Sequence, residues 1–469
     1  MNLDDSEGAR FSRHDPATTE QRWWLAQEWD GVPSLDLPEV VRRHPHVMVL
    51  AAHPDDETIG VGGLISDLSD LGADLTVLIA TSGERSHDLV GEASRGGLAA
   101  IRRRESERAL SGLAPRARVV HLELPDTRVA HVEATLVVEI TARVGAGTLV
   151  IAPWLHDGHG DHDAVGRAAL EAVSVSGAAL AYYPIWMWHW SSPAELDWAP
   201  VMTVDVTGTG GWRKRAALEE FRSQTETGGL PGSSVGRGPV LDAGLRERAS
   251  RLVETLLDPH GVLPTQADGE RTRAMEDRRE GFERMYDGRE DPWRFEDSFY
   301  ESRRLTLITA FLERPSYQRV LEIGCADGRL TASLTKRSRE VVAMDTSARA
   351  VQSARRAAPR AAVVQGTAPR DLPQGPFDLV IISEVGYFLS PTDLIATLRG
   401  ALLRLAPDGE LLLCHWQHPT VGVPLDGPLV HQQATSVLGR EPRASYRDGD
   451  LLIDTWREGQ SLAEREGRA

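Results

Sequence analysis

With 469 residues the chain is too long for one ordinary core, so two or three domains are expected. Its net charge of -17 disfavours nucleic acid or anionic membrane as a partner, because phosphate contacts need a basic face. No run is long and uncharged enough for a membrane span, and the acidic, polar Met1–Arg13 stretch does not read as a signal peptide. The two cysteines, Cys325 and Cys414, fit a reducing compartment, so a cytoplasmic protein is expected.

In chain order, residues 1–45 read as an N-terminal extension, with a short helix around Trp23, Trp24 and Trp29 packed on the first domain. From residue 46 to 260 strand-like and helical segments alternate. The strand candidates are Val47–Ala52, Asp74–Ala80, Arg118–Leu122, Thr148–Ala152, Leu180–Tyr183 and Val201–Val206. The helix candidates are Gly62–Leu71, Gly97–Ser111, Val132–Val144, Asp163–Val173, Trp212–Ser223 and Leu245–Leu256. This is the βαβ rhythm of a doubly wound, mostly parallel sheet. Asp258-Pro259-His260-Gly261 breaks the pattern, and Glu270–Arg289 is dense in both charges and suits a solvated helix, so 261–290 reads as a linker. A second α/β domain is expected over 291–469, which gives two Rossmann-like domains in all.

Two motifs carry chemistry in the first domain. The apolar run Val47–Ala52 feeds into His53-Pro54-Asp55-Asp56-Glu57, and Thr148–Trp154 feeds into Asp157-Gly158-His159-Gly160-Asp161-His162. Ligands in open α/β sheets gather at the carboxyl ends of strands. Imidazole and carboxylate are the donors a catalytic zinc uses, with one position left for water. The competing reading is that these are strand-end caps and turn residues.

Together the motifs resemble the PIG-L/LmbE-like zinc-dependent N-deacetylases, over about residues 45–260. The resemblance implies Zn2+ held by His53, Asp56 and His162, with Asp55 as general base and then acid. It implies His159 as oxyanion stabiliser, Asp161 orienting a histidine, and Arg102 and Asp126 binding a sugar-like substrate. For Arg102 a solvated helix face is the alternative. Lys214 and Ser223-Gln224 fit a family pattern that reads as structural. The aromatic stretch Tyr182–Trp190 suits core packing better than carbohydrate stacking. His87, His121, His156 and His189 read as structural or loop histidines.

In the second domain Arg319–Gly328 reads as strand, Gly-rich turn and helix start, and the strand Glu340–Met344 ends in Asp345. That is a nucleotide-binding arrangement, with the carboxylate placed for ribose hydroxyls. With Glu322 ending the first strand and Phe377–Glu384 following, it looks like a class I methyltransferase using S-adenosyl-L-methionine. Asp291–Phe295, Ser383–Tyr387 and His415–Pro419 resemble NodS-like enzymes, which N-methylate an amino sugar, over about 291–440. The resemblance implies cofactor contacts at Glu322, Gly324, Ala326, Gly328, Asp345 and Ser383. Ser383, Glu384, Tyr387 and His415 are candidates around the acceptor, with Glu384 and His415 as groups that accept the ammonium proton or, alternatively, as merely structural residues. Ala326 and Thr367 depart from the glycine and the acidic residue many relatives carry. Trp293, Phe295 and Tyr300 read as a lid or as a packed helix.

The combined expectation is a bifunctional N-deacetylase and N-methyltransferase acting on an N-acetylated small molecule, an amino sugar or a related compound. The alternatives are two activities on separate molecules, a hydroxyl acceptor, or a metal-bearing scaffold fused to a methyltransferase. The oligomeric state is not legible.

Overall fold

A computed structural model describes residues 11, 15–87, 92–226, 239–266, 270–286, 297–420 and 422–468. The chain divides into two units, Met1–Gln266 and Ala267–Ala469, each built on a seven-stranded, mostly parallel sheet. No helix among the described residues is long and apolar enough to cross a membrane.

The first sheet comprises β1 His46–Ala51, β2 Asp74–Thr81, β3 Arg118–Leu124, β4 Thr148–Pro153, β5 Ala179–Tyr183, β6 Val201–Asp205 and β7 Val253–Leu257. Their order is β3-β2-β1-β4-β5-β7-β6. Strands β1 to β5 pair in parallel, and β7 runs antiparallel to β5 and β6. Burial on both faces explains why β1 and β4 read as unbroken apolar runs. The order reverses between β1 and β4, which pair from His46↔Thr148 to Val49↔Ile151. Both chemical motifs leave the carboxyl ends of this pair, at the sheet's switch point.

The helix after β1, Asp56–Asp70, is kinked at Val61. Buried Glu254 on β7 accepts the N–H groups of Gly63 and Leu64 at 2.7 and 2.8 Å, and Lys214 balances its charge at 2.7 Å. The predicted helix Leu245–Leu256 is instead a helix at Ala243–Ala249 followed by β7. Burial between β5 and β6 decides the matter for a stretch whose apolar spacing suits either form. The extension forms the helix Glu20–Trp24, N-capped by Thr19, with Trp23, Trp24 and Trp29 buried. Trp188 meets Trp23 edge to face at 4.7 Å, so this part of the aromatic stretch serves packing.

The second sheet comprises β8 Tyr317–Ile323, β9 Ser338–Asp345, β10 Ala362–Gln365, β11 Phe377–Ser383, β12 Leu405–Trp416, β13 Ala444–Arg447 and β14 Leu451–Arg457. Their order, β10-β9-β8-β11-β12-β14-β13, places the switch between β8 and β11, and β14 is antiparallel to β12 and β13. The stretch read as a linker is helical over Glu270–Met285 and belongs to this unit. Its charges hide a narrow apolar stripe: Phe282 meets Phe388 edge to face at 4.9 Å, Met275 and Tyr286 are buried, and Arg278 pairs with Asp393.

Candidate active sites

In the first unit, β1 delivers His53, and Asp56 opens the following helix. Asp55 between them adopts φ +147°, a conformation that costs about 1–3 kcal/mol and tends to mark functional sites. His159 N-caps the helix Gly160–Ser176, which carries His162 in its first turn. His53 Nδ1 and His162 Nε2 both lie 3.3 Å from Asp56 Oδ2, and all three residues are buried.

The surrounding hydrogen bonds set the direction of each imidazole. His162 Nδ1–H donates to Asp157 Oδ2 at 2.8 Å, and Asp157 also accepts the N–H groups of Ile185, Trp186 and Met187. This leaves the His162 Nε2 lone pair facing Asp56, with no hydrogen-bond partner. His53 Nε2 faces Asp161 at 3.2 Å and Asp126 at 3.3 Å, so its Nδ1 lone pair faces the same point. Two nitrogens and a carboxylate oxygen within 4.8 Å of one another fit a divalent cation of zinc type. A second grouping, His53, His159 and Asp161, fits less well, because Asp161 already accepts the N–H groups of Thr127 and Val129.

Charge supports the first trio. Burial opposes protonation of His162, but Asp56 and Asp157 override it and push the imidazole up to about 10. The same contest, won by Asp126, Asp161 and Asp56, raises His53. The field therefore favours positive charge between these groups. His159 behaves oppositely: burial, then the charges of His162 and His53, push it down to about 3. Its Nδ1 accepts the Asp161 N–H at 3.3 Å, so the proton sits on Nε2, which has no partner. Burial raises Asp55 to about 6 against the pull of Arg102. Asp55, Asp56, His53 and His159 line a cavity of about 40 Å³ together with Trp186 and Gln224.

In the second unit a cavity of about 260 Å³ lies over the carboxyl ends of β8, β9 and β11, and the helix Glu270–Met285 lines part of it. Gly324 and Gly328 take φ +80° and +84°; added Cβ atoms would fall 2.0 Å from Val385 Cγ2 and 2.5 Å from Ala354 Cα. Ala326 adopts φ +45° and donates its N–H to Asp345 Oδ2 at 2.9 Å. Asp345 Oδ1 accepts the Ser347 N–H at 2.9 Å, and burial raises its carboxyl. Glu322 is buried, accepts the Thr331 hydroxyl at 2.6 Å, and is pushed up to about 8 by burial. Glu384, at φ +59°, accepts the Tyr387 O–H and the Trp416 N–H on Oε2, while its Oε1 has no partner. Arg304, paired with Glu301 at 2.6 Å, donates to Ser383.

Residues 48–173 match the family described as PIG-L, GlcNAc-PI de-N-acetylase, and residues 320–409 match the methyltransferase domain family Methyltransf_25. The chain carries a PIG-L deacetylase domain and a methyltransferase domain. A diacetylchitobiose deacetylase of Thermococcus kodakarensis is 34% identical over 135 residues, 28% of this chain and 50% of that protein. The 1D-myo-inositol 2-acetamido-2-deoxy-alpha-D-glucopyranoside deacetylase of Rhodococcus erythropolis is 29% identical over 46% of this chain and 83% of its own length. Nodulation protein S of Rhizobium tropici is 30% identical over 26% of this chain and 54% of its own length. The chain thus spans about half the length of the Thermococcus and Rhizobium relatives.

Within the deacetylase domain the structure brings His53, Asp55, Asp56, His159 and His162 together, with Asp161 behind His53. It differs from the expectation for Asp126, whereas Arg102 lines the same cavity. Asp126 is fully buried behind His53 and accepts the Arg85 N–H at 2.7 Å, so it supports an imidazole instead of meeting substrate. Arg102 is buried, pairs with Asp55 Oδ2 at 3.0 Å and donates to the carbonyls of Pro54 and Gly83. It anchors Asp55, and the solvated-face alternative falls with its burial. Sequence reading assigned no role to Asp157, although it lies within the quoted motif. Lys214 and Ser223 hold Glu254 and Glu105, and His189 packs on Phe11 and hydrogen-bonds the Asp15 carbonyl.

Within the methyltransferase domain Glu322, Gly324, Ala326, Asp345, Thr367, Ser383, Glu384 and Tyr387 line the cavity, and Gly328 shapes the turn beneath it. His415 does not line it: the ring is fully buried, and both its nitrogens are engaged. Tyr300 packs edge to face on Trp416 at 5.1 Å, which makes it part of a packed helix, not a lid. Trp293 and Phe295, with the stretch Asp291–Phe295, lie outside the described residues.

Proposed function

We propose that the chain is a bifunctional enzyme of natural-product or glycoconjugate biosynthesis in the cytoplasm. The deacetylase domain removes an N-acetyl or related acyl group from an amino sugar or similar small molecule. The methyltransferase domain then N-methylates the freed amine with S-adenosylmethionine. The observation that carries this reading is the convergence of His53 Nδ1, His162 Nε2 and Asp56 Oδ2 beside Asp55.

Zinc held by His53, Asp56 and His162 would supply Lewis acidity toward the amide carbonyl and toward water. Asp55, poised near 6, takes a proton from the attacking water and returns it to the nitrogen as the C–N bond breaks. Arg102 fixes the direction of the Asp55 carboxylate. His159 offers its Nε2–H to the oxygen that gains negative charge. In the methyltransferase domain Asp345 would hold the ribose, and the tight turn at Gly324 and Gly328 would let backbone approach the cofactor. Glu384 Oε1 would accept the amine proton and leave the nitrogen lone pair free toward the methyl group that S-adenosylmethionine would supply.

The test is mass spectrometry of N-acetylglucosamine conjugates incubated with the zinc-loaded full chain and S-adenosylmethionine. The free amine should appear first and its N-methyl derivative after it. Methylation with the acetyl group retained, or methylation on oxygen, overturns sequential action on one nitrogen. No amide cleavage with zinc bound would favour the scaffold alternative.

A further inference from the structure

The cluster left unused by this mechanism is Asp454, His431 and His415, all buried in the second unit. They come from three elements: β14, the helix Gly427–Leu438 and β12. Asp454 Oδ2 lies 2.7 Å from His431 Nδ1, His431 Nε2 lies 3.0 Å from His415 Nδ1, and His415 Nε2 lies 3.1 Å from the Gly386 nitrogen.

The order of protons in this chain has one solution. Gly386 can only donate, so His415 Nε2 is the acceptor and its proton sits on Nδ1. That proton goes to His431 Nε2, which puts the His431 proton on Nδ1, where it meets the Asp454 carboxylate. Both imidazole acceptor nitrogens are then used, and neither ring is left to take a proton from a substrate. The row ends on the backbone between Glu384 and Tyr387, two residues that line the cavity. Glu384 there holds the left-handed φ +59°, which a non-glycine residue keeps only when its surroundings impose it.

We infer that Asp454, His431 and His415 are positioning residues, a buried hydrogen-bond relay of fixed proton order that holds Gly386 and so aims Glu384 and Tyr387 into the acceptor end of the cavity. The inference rests on the methyltransferase reading of this unit, but not on the identity of the acceptor.

The experiment uses the full chain with 15N-labelled histidine. Long-range 1H–15N spectra should show both His415 and His431 in the Nδ1–H form. His415→Asn keeps a donor near Nδ1 but removes the acceptor for Gly386; amide exchange over residues 384–388 should then speed up about tenfold or more. His415→Gln keeps an acceptor near Nε2 and should restore most of the protection. The Kd for S-adenosylhomocysteine should stay within about twofold in both variants, because His415 does not line the cavity. An Nε2–H form at either histidine, equal exchange in the Asn and Gln variants, or cofactor affinity lost in step with protection would overturn the relay. Absence of S-adenosylhomocysteine binding to the unaltered chain would instead overturn the methyltransferase reading, and the tautomers would still decide the relay.

Discussion

The Nδ1 nitrogen of His162 lies 2.8 Å from Oδ2 of Asp157, and this pair determines which edge of the imidazole looks toward Asp56. Asp157→Ala should therefore weaken zinc binding about 10- to 100-fold, the usual loss when the group behind a metal-ligating histidine is removed. Competition with a chromophoric chelator measures it. Thermal stability should fall as well, because three backbone N–H groups at Ile185–Met187 lose their acceptor. Unchanged zinc affinity would show that His162 needs no support or is not a ligand.

Asp55→Asn tests the base. Amide cleavage should drop about 10²- to 10⁴-fold while zinc content and methyl transfer persist. Asparagine matches aspartate in size and shape, so the strained backbone at this position should survive the exchange. Cleavage at the original rate would remove Asp55 from its role.

Glu384→Gln preserves shape and removes the charge. Methyl transfer to the amine should fall about 10²-fold, with S-adenosylhomocysteine affinity held within about twofold. Calorimetric titration and a turnover assay separate the two. A parallel loss of cofactor binding would place Glu384 on the cofactor and not on the acceptor.

Glu322 makes a prediction about pH. Burial carries its carboxyl from 4.5 in the open chain to about 8 in the fold. The folded state therefore binds more protons than the unfolded one between these values, and stability must fall as pH rises through that window. The full contribution is present below 4.5 and lost above about 8, a change on the order of 5 kcal/mol. Glu322→Gln should flatten this decline in the calorimetric transition of the cofactor-free second unit within the full chain. An unchanged slope would mean that Glu322 is already ionised in the fold.

The strands of the first sheet were legible because two-sided burial leaves unbroken apolar runs, as in Val47–Ala51. β7 was hidden because its leucines, with Leu245 and Leu252, keep a spacing a helix can also use. Helix Glu270–Met285 is legible as a solvated helix, but its packing is not, because its stripe of Met275 and Phe282 is thin beside its charges. His53, Asp56 and His162 were legible as motifs, since each lies in the few residues after a strand. The place of Asp126 was not, because local spacing does not say whether a polar side chain meets solvent or the back of an imidazole. His415 was misplaced for the same reason: its partners, His431 and Asp454, arrive from separate elements.

The brace formed by Lys214 and Glu254 bears on how this protein can be divided. Residues 48–173, the stretch that matches PIG-L, stop well short of both. Cutting the gene at that border would strand the amides of Gly63 and Leu64 in an apolar interior and slacken the helix that begins at Asp56. A working fragment of the first unit must therefore run through Leu257, so that the last strand of its sheet travels with the helix of Asp56 that it steadies.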